Sequence, residues 1–197
     1  MKYFDGTVAY VWSAPHSQIY PELRRMERDG LLDVEVVPRG ERAKKRVYVI
    51  TDAGRAELHS WSTELATYQP ERDVYRLRAA HFEFSSYEAA RRQLREHLNH
   101  YTKALLAWRQ MVSDVEARTV PLLQQRLLQR PESEHEPIVA FKRFAFRGEV
   151  GKAEAEIAWA KEGLALLDDL EQRGVPLWGQ GAPDSSDGSA ATGERAT

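Results

Sequence analysis

The chain has 197 residues, 42% of them hydrophobic and 29% charged, a composition typical of a globular protein with a buried core. It contains no cysteine, which excludes disulfides, thiolate nucleophiles and cysteine-based zinc sites and favours a cytoplasmic location. The formal net charge of -2 means that any affinity for nucleic acid must come from a local basic patch. No apolar run is long enough for a secretory signal or a bilayer span, so we expect no membrane partner.

The residue pattern divides the chain into three predicted parts. Residues 1–65 mix helical and strand patterns, and residues 66–178 are helical. Residues 179–197 form a low-complexity tail, which we expect to be disordered because it offers almost no apolar surface to bury.

The stretch "HSQIYPELRRMERDGLL" predicts a helix with a narrow apolar face. Ile19, Leu23 and Met26 recur at helical spacing, while the arginines point elsewhere. Ser17 is the expected N-cap, although Pro21 fits that start poorly because it lacks a backbone N–H. A glycine after Asp29 supplies the expected helix end.

A β-hairpin is predicted next, in "LLDVEVVPRGERAKKRVYVIT". Its two arms alternate apolar and polar residues, and its predicted loop, residues 38–45, is rich in cations. Thr51 and Asp52 then open another helix, since a hydroxyl can cap its first turn and a carboxylate suits the positive end of its dipole.

A helix with a basic exposed face, followed at once by a basic two-stranded ribbon, is the order expected of a winged helix-turn-helix. The helix would enter the major groove of DNA, and the cations of the ribbon, the wing, would contact phosphates. We expect Gln18 and Arg24 to read base edges and Lys44, Lys45 and Arg46 to contact phosphates. The alternative is that the charge run is only a solvated surface. The full predicted DNA-binding set is His16, Ser17, Gln18, Tyr20, Arg24, Arg25, Arg28, Arg39, Arg42, Lys44, Lys45 and Arg46.

Several motifs together resemble the PadR family of transcriptional regulators. They are "QIYPEL", the helix end "DGL", the strand-to-helix junction "VYVITDAGRAEL" and, more loosely, the C-terminal "FRGEVGKAEAEIAWAKEGLALLDDL". The length of the helical part is similar to that of the larger PadR subgroup. The resemblance implies DNA-binding repression by a homodimer, a DNA-facing role for Tyr20, and effector control in some members.

The N-terminus departs from the family pattern. Family members usually begin with a complete first helix, whereas here Met1 is expected to fall inside the second helix. Either an upstream start codon precedes this Met, or the product is truncated. The truncation suggests an alternative function, a dimerisation protein that does not bind DNA and antagonises a full-length partner in mixed dimers.

The helical region carries an apolar seam at alternating spacings of four and three, beginning after a capping box predicted at Ser85 and Glu88. Two interpretations remain open: an intersubunit coil, which the family resemblance favours, or a helix–helix core within one chain. A second helix is predicted after a break at residues 131–137, and Gly148 and Gly151 within it indicate a close approach or a bend. The residues predicted to mediate dimerisation are Leu94, Leu98, Tyr101, Leu105, Trp108, Val112, Trp159 and Leu166.

A candidate effector cavity would be lined by Trp12, Trp61, His81 and Trp108, and would take a small aromatic or apolar ligand. The alternative is that each tryptophan is simply part of the core.

Catalytic residues, cofactors and metals are not expected. His97 and His100 have a metal-compatible spacing but no third ligand, and we expect a solvated helix flank there. The acidic pair Glu154 and Glu156 is expected on an exposed face because no partner suggests chemistry. We therefore expect a mainly α protein with a small β-hairpin: a winged helix-turn-helix domain without its first helix, and a C-terminal helical dimerisation domain.

Overall fold

The computed structural model describes residues 16–39, 43–68 and 72–178. Its contacts divide the chain into two compact units, Met1–Glu71 and Arg72–Thr197. The described residues are mostly helical and contain one two-stranded sheet, which confirms the predicted fold class. Residues 1–15, where part of an N-terminal helix is expected, and the predicted tail at residues 179–197 lie outside the described residues. None of the helices in the described part of the chain is both long enough and apolar enough to cross a bilayer.

In its described residues, the first unit has a helix, two paired strands and a second helix. The strands pair antiparallel from Leu32 opposite Ile50 to Arg39 opposite Ala43. The predicted loop at 38–45 is therefore too long, because the pairing continues through residues 38–39 and 43–45. In a two-stranded ribbon both strands have a free edge, so Pro38 is tolerated without breaking the sheet. The elements are α1 (His16–Arg28), β1 (Leu32–Arg39), β2 (Ala43–Ile50) and α2 (Asp52–Thr63).

The ends of α1 differ in how well the sequence predicts them. Ser17 is a helical residue and not the N-cap, because α1 already includes His16, and Pro21 is accommodated inside the helix. At the other end Gly30 has a φ of 72°, and the Leu31 N–H donates to the Met26 carbonyl at 2.9 Å. Glycine adopts this left-handed conformation without a Cβ penalty, so the predicted helix end is confirmed.

The second unit consists of four helices. Its elements are α3 (Val74–Ala79), α4 (Tyr87–Glu116), α5 (Pro121–Leu128) and α6 (His135–Gln172), with 3₁₀ turns at Phe82–Phe84 and Glu132–Glu134. The N-cap of α4 is Ser86, one residue later than predicted, and its hydroxyl accepts from the Ala89 N–H. The predicted break up to Pro137 is also too long. Pro137 lies in the first turn of α6. Backbone N–H groups in a first turn have no intrahelical acceptor, so a proline there costs no hydrogen bond.

The core of the second unit lies between the antiparallel helices α4 and α6 and has two apolar clusters. One surrounds the start of α4 and the end of α6, and the other surrounds the end of α4, α5 and the first half of α6. The first contains Tyr87, Ala90, Leu94, Leu167 and Leu177, and the second contains Trp108, Val115, Leu123, Leu127 and Phe146. Much of the predicted seam thus packs within one chain.

Candidate nucleic-acid interface

A junction around Thr51 fixes α1 against the hairpin and α2. The Thr51 hydroxyl donates to the carbonyl of Gly30 at 2.7 Å and accepts from the N–H of Gly54 at 3.0 Å. The Thr51 N–H donates to the carbonyl of Leu31 at 3.1 Å. One residue therefore joins the end of α1, the start of β1 and the first turn of α2, and α1 packs on β1.

The outer face of α1 is polar and basic. Ile19, Leu23 and Met26 are half-buried on the inner face, whereas Ser17, Tyr20, Arg24 and Arg28 are exposed. These four residues share one side of the helix because they are spaced by three or four positions. Neither Arg24 nor Arg28 forms an ion pair with any residue that the structure describes. Their guanidinium groups are thus available to an anion such as a phosphate or to the acceptors of a guanine edge.

Arg25 has a different environment from its neighbour Arg24. Its guanidinium lies 2.5 Å from a Glu22 carboxylate oxygen and 3.0 Å from Asp29. The hydrogen bonds from Arg25 lower the pKa of the Glu22 carboxyl, and the same bonds raise the pKa of the guanidinium. Two carboxylates, on Glu22 within α1 and on Asp29 just after it, therefore balance the charge of Arg25, which makes Arg25 less available to DNA.

The cations of the wing, the ribbon of β1 and β2, do not form one block. Lys45 lies opposite Val37 and Arg46 lies opposite Val36, so their side chains project from opposite faces of the ribbon. Lys45 is exposed. The strand alternation thus places Lys45 and Arg46 on opposite faces, although both were predicted to contact phosphates.

Arg46 points toward α1. Its guanidinium lies 2.5 Å from the carboxylate of Glu27 on α1 and sits over the Tyr48 ring, 5.7 Å from the centroid. Glu27 therefore lies on the side of α1 that faces the wing. Arg46 links β2 to α1, and its predicted role as a phosphate contact competes with this ion pair.

Four of the predicted DNA-binding residues have no described side chain. The backbone of His16, Arg39 and Lys44 lies in α1, β1 and β2, respectively, while Arg42 lies outside the described residues. In the register, Lys44 lies opposite Pro38 and Arg39 opposite Ala43, next to the hairpin loop. Their contribution to DNA binding stays a prediction.

The residues predicted to mediate dimerisation occupy three environments. Leu94 and Trp108 are buried in the intrachain clusters. These two positions therefore fit the alternative interpretation, a helix–helix core within one chain. Another five residues are half-buried, and Leu166 is exposed. The half-buried residues are Leu98, Tyr101, Leu105, Val112 and Trp159.

An exposed apolar stripe on α6 is a better candidate for contact with a second subunit. Phe141 and Phe144 are 73% and 77% exposed, and Gly148, Gly151 and Ala155 continue the same line at spacings of three and four. A Cβ at either glycine would meet no atom of the described residues within 4 Å. No described residue therefore packs on these glycines, which fits the predicted close approach of another helix, but the predicted dimerisation set left out this stripe of aromatic and small residues.

The predicted effector residues belong to both units of the chain. Trp108 stacks on Phe146 with centroids 5.8 Å apart and belongs to the core of the second unit. Trp61 lies on α2 of the first unit and is exposed, and His81 precedes a 3₁₀ turn of the second unit and is also exposed. Trp12 lies outside the described residues. The effector cavity stays a prediction.

The solvated helix flank expected at His97 is not found. His97 is 4% exposed, and its Nε2 lies 3.0 Å from the carboxylate of Glu156, which is also buried. Within residues 16–39, 43–68 and 72–178, no three potential ligands are grouped so as to hold a metal ion. The expectation of an exposed acidic face is wrong for Glu156, because helical spacing turns it toward α4, whereas Glu154 on the other side stays exposed.

The sequence of the first unit is similar to a known family of regulators. Residues 1–60 match the family described as "Transcriptional regulator PadR-like family". Over 68 residues the chain is 40% identical to the "Negative transcriptional regulator PadR" of Bacillus subtilis (strain 168), a stretch that covers 34% of this chain and 36% of that protein. The matched stretch covers about a third of the length of the curated relatives.

The fold is similar to solved structures over most of the chain. The virulence activator AphA of Vibrio cholerae matches with a TM-score of 0.59 and 26% identity, covering 86% of this chain and 87% of that chain. Bacillus subtilis PadR in complex with operator DNA matches with a TM-score of 0.53 and 24% identity, covering 85% and 87% of the two chains. The same protein with p-coumaric acid matches with a TM-score of 0.52 and 23% identity, covering 85% and 86%.

The match over the first unit and the likeness in fold point in the same direction. Within the described residues, the family match covers α1, both strands of the hairpin and α2 up to residue 60. The long helices that follow are shared with the solved regulators. Residues 1–60 are therefore similar in sequence to the PadR-like family of transcriptional regulators, and most of the chain is similar in fold to solved regulators.

Proposed function

We propose that this chain is a transcriptional regulator that binds double-stranded DNA with α1 in the major groove. The observation that carries the proposal is the outer face of α1, where Arg24 and Arg28 are exposed without an ion pair to any described residue, beside an antiparallel ribbon. A helix of this kind presents side chains to base edges while a neighbouring ribbon contacts the backbone.

The contacts differ in what they contribute. Gln18 and Arg24 have the chemistry to read adenine and guanine edges, so they would provide sequence preference. Lys45 on the ribbon would bind phosphate, which adds affinity and salt dependence but little sequence choice. Arg25 and Arg46 would contribute less, because each already pairs with a carboxylate in the same unit.

The regulator would act as a homodimer through the exposed stripe of α6. Phe141 and Phe144 present apolar surface that the described chain leaves uncovered, and Gly148 and Gly151 allow another helix to approach closely. A two-fold dimer would place two copies of α1 on successive half-sites of a palindromic operator.

Repression is the proposed outcome of binding, in the cytoplasm and without catalysis. It is supported by the Bacillus subtilis relative, which is named a negative regulator. The complex of that protein with p-coumaric acid supports a small aromatic effector for this chain as well. Such an effector must bind the DNA-competent and DNA-incompetent dimers with different affinity.

A mobility-shift titration tests the proposal. The purified chain is titrated onto a duplex taken from immediately upstream of its own coding sequence, with scrambled duplex as competitor, while analytical ultracentrifugation measures its mass. We expect retardation by a dimer that resists the scrambled competitor. A folded dimer that shows no preference for this duplex or for any other genomic fragment would instead favour the dimerisation protein without DNA binding.

A further inference from the structure

The short helix α3 is held on the second unit with little apolar burial. It comprises six residues, Val74–Ala79, and none of them is buried. Val74, Tyr75 and Leu77 each expose more than half of their surface. A helix of this length is not stable alone, and its apolar side chains bury less than half of their surface, so polar contacts must help to keep it in place.

Arg76 makes the principal polar contacts between α3 and the longer helices. Both of its terminal nitrogens donate to one carboxylate oxygen of Glu156 on α6, at 3.1 Å each. Its guanidinium also lies over the Trp159 ring, 4.9 Å from the centroid. Asp73, the N-cap of α3, accepts from the Arg76 backbone and pairs with its side chain, and these bonds lower the pKa of the Asp73 carboxyl.

Glu156 has a second partner that does not belong to α3. Its other carboxylate oxygen lies 3.0 Å from Nε2 of His97 on α4. The His97 ring also contacts Trp159, with centroids 5.1 Å apart. This pair bridges α4 and α6 in the interval between the two apolar clusters, and the His97 ring also contacts Tyr75 of α3, with centroids 4.9 Å apart.

The two partners of Glu156 therefore have different consequences. A buried carboxylate that loses every partner is strongly destabilising, whereas one that keeps a hydrogen-bonded histidine is still compensated. If α3 leaves, His97 still binds Glu156. If His97 is removed, one oxygen of a carboxylate inside the helix pair is left without its partner.

We propose that α3 is a releasable strap, docked on α4 and α6 by the contact of Arg76 with Glu156 and Trp159, and that His97 keeps the helix pair folded when the strap opens. Arg76 is thus a positioning residue for α3. This proposal stands independently of DNA binding, because it concerns a local opening of the second unit.

Hydrogen exchange measured by mass spectrometry on the full chain tests the strap. For Arg76→Ala we expect exchange of the amides of residues 74–80 to rise about tenfold or more, with α4 and α6 as protected as before. Arg76→Lys keeps the charge but loses the contact of two nitrogens with one Glu156 oxygen, so we expect an intermediate rise in the exchange of α3. Arg91→Ala is the matched control, because Arg91 pairs with Asp168 and Glu171 across the same two helices without touching α3.

His97→Gln is the second variant of this test. We expect it to lower the midpoint of thermal unfolding of the helical unit and to raise exchange throughout α4 and α6. The proposal would be overturned if Arg76→Ala failed to fold, if it left α3 exchange unchanged, or if it loosened α4 and α6 as much as α3. It would also be overturned if His97→Gln loosened α3 alone.

Discussion

Gly54 on α2 lies directly against the backbone of Leu31: a Cβ at position 54 would approach the Leu31 carbonyl oxygen to 2.2 Å. The same atom would lie 2.9 Å from Cγ1 of Ile50. That carbonyl also accepts the Thr51 N–H, so it cannot turn away without losing a hydrogen bond. The closeness of α2 to the start of β1 is thus possible only with glycine at this position.

We expect Gly54→Ala to destabilise the first unit by about 1–3 kcal/mol, because the added methyl group must displace backbone and not a flexible side chain. Urea unfolding followed by circular dichroism measures the loss. Glu57→Ala is the control, since Glu57 is an exposed residue of the same helix and its replacement should change the stability by less than about 0.5 kcal/mol. Equal effects of the two substitutions would contradict this explanation.

The wing prediction concerns Lys44 and Lys45. Replacing both with alanine should weaken binding to all duplex sequences to a similar degree and flatten the dependence of log affinity on log salt by roughly one for each phosphate that is no longer neutralised. Fluorescence anisotropy on two unrelated duplexes over a salt series measures both effects. An unchanged salt slope would remove these lysines from the interface.

Glu27 distinguishes the two roles of Arg46. If Arg46 mainly holds the wing on α1, then Glu27→Ala and Arg46→Ala should both weaken binding, because each breaks the same 2.5 Å ion pair. If Arg46 binds phosphate, removing Glu27 should free the cation and strengthen binding. We expect weakening of a fewfold for both variants in the anisotropy assay, since exposed ion pairs contribute little.

The α6 stripe predicts a specific loss of dimers. Phe141→Ser with Phe144→Ser should shift the chain from dimer to monomer in sedimentation velocity while the helical circular dichroism signal is kept, because neither ring is buried within the chain. Leu128→Ser is the control, as another exposed apolar side chain on a neighbouring helix. A double variant that remains dimeric would place the interface elsewhere, for example on the predicted seam.

The elements of the first unit could be predicted from the sequence because their signals are local. Gly30 ends α1, Thr51 caps α2, and the alternating strand pattern places the hairpin. The charge balance of the interface could not be predicted in the same way. The pairing of Arg46 with Glu27 joins residues 19 positions apart and depends on the register of the hairpin.

In the second unit the sequence predicts helices but not which faces meet. The predicted seam and the α6 stripe have the same heptad spacing, and only the packing of α4 on α6 decides that Leu94 and Trp108 are internal while Phe141 is exposed. His97 and Glu156 are 59 positions apart, so no local pattern marks them as a buried pair.

The most direct test of DNA binding through α1 compares the wild type with Arg24→Ala plus Arg28→Ala on the duplex from upstream of the coding sequence. Anisotropy titrations at several salt concentrations would include Lys161→Ala, an exposed cation of α6, as the control. We expect the double variant to lose the preference for this duplex over scrambled DNA and to reduce the salt slope by roughly two per subunit, with the control unchanged. A folded double variant that binds as tightly and as selectively as the wild type would contradict the assignment of α1 as the DNA-reading helix.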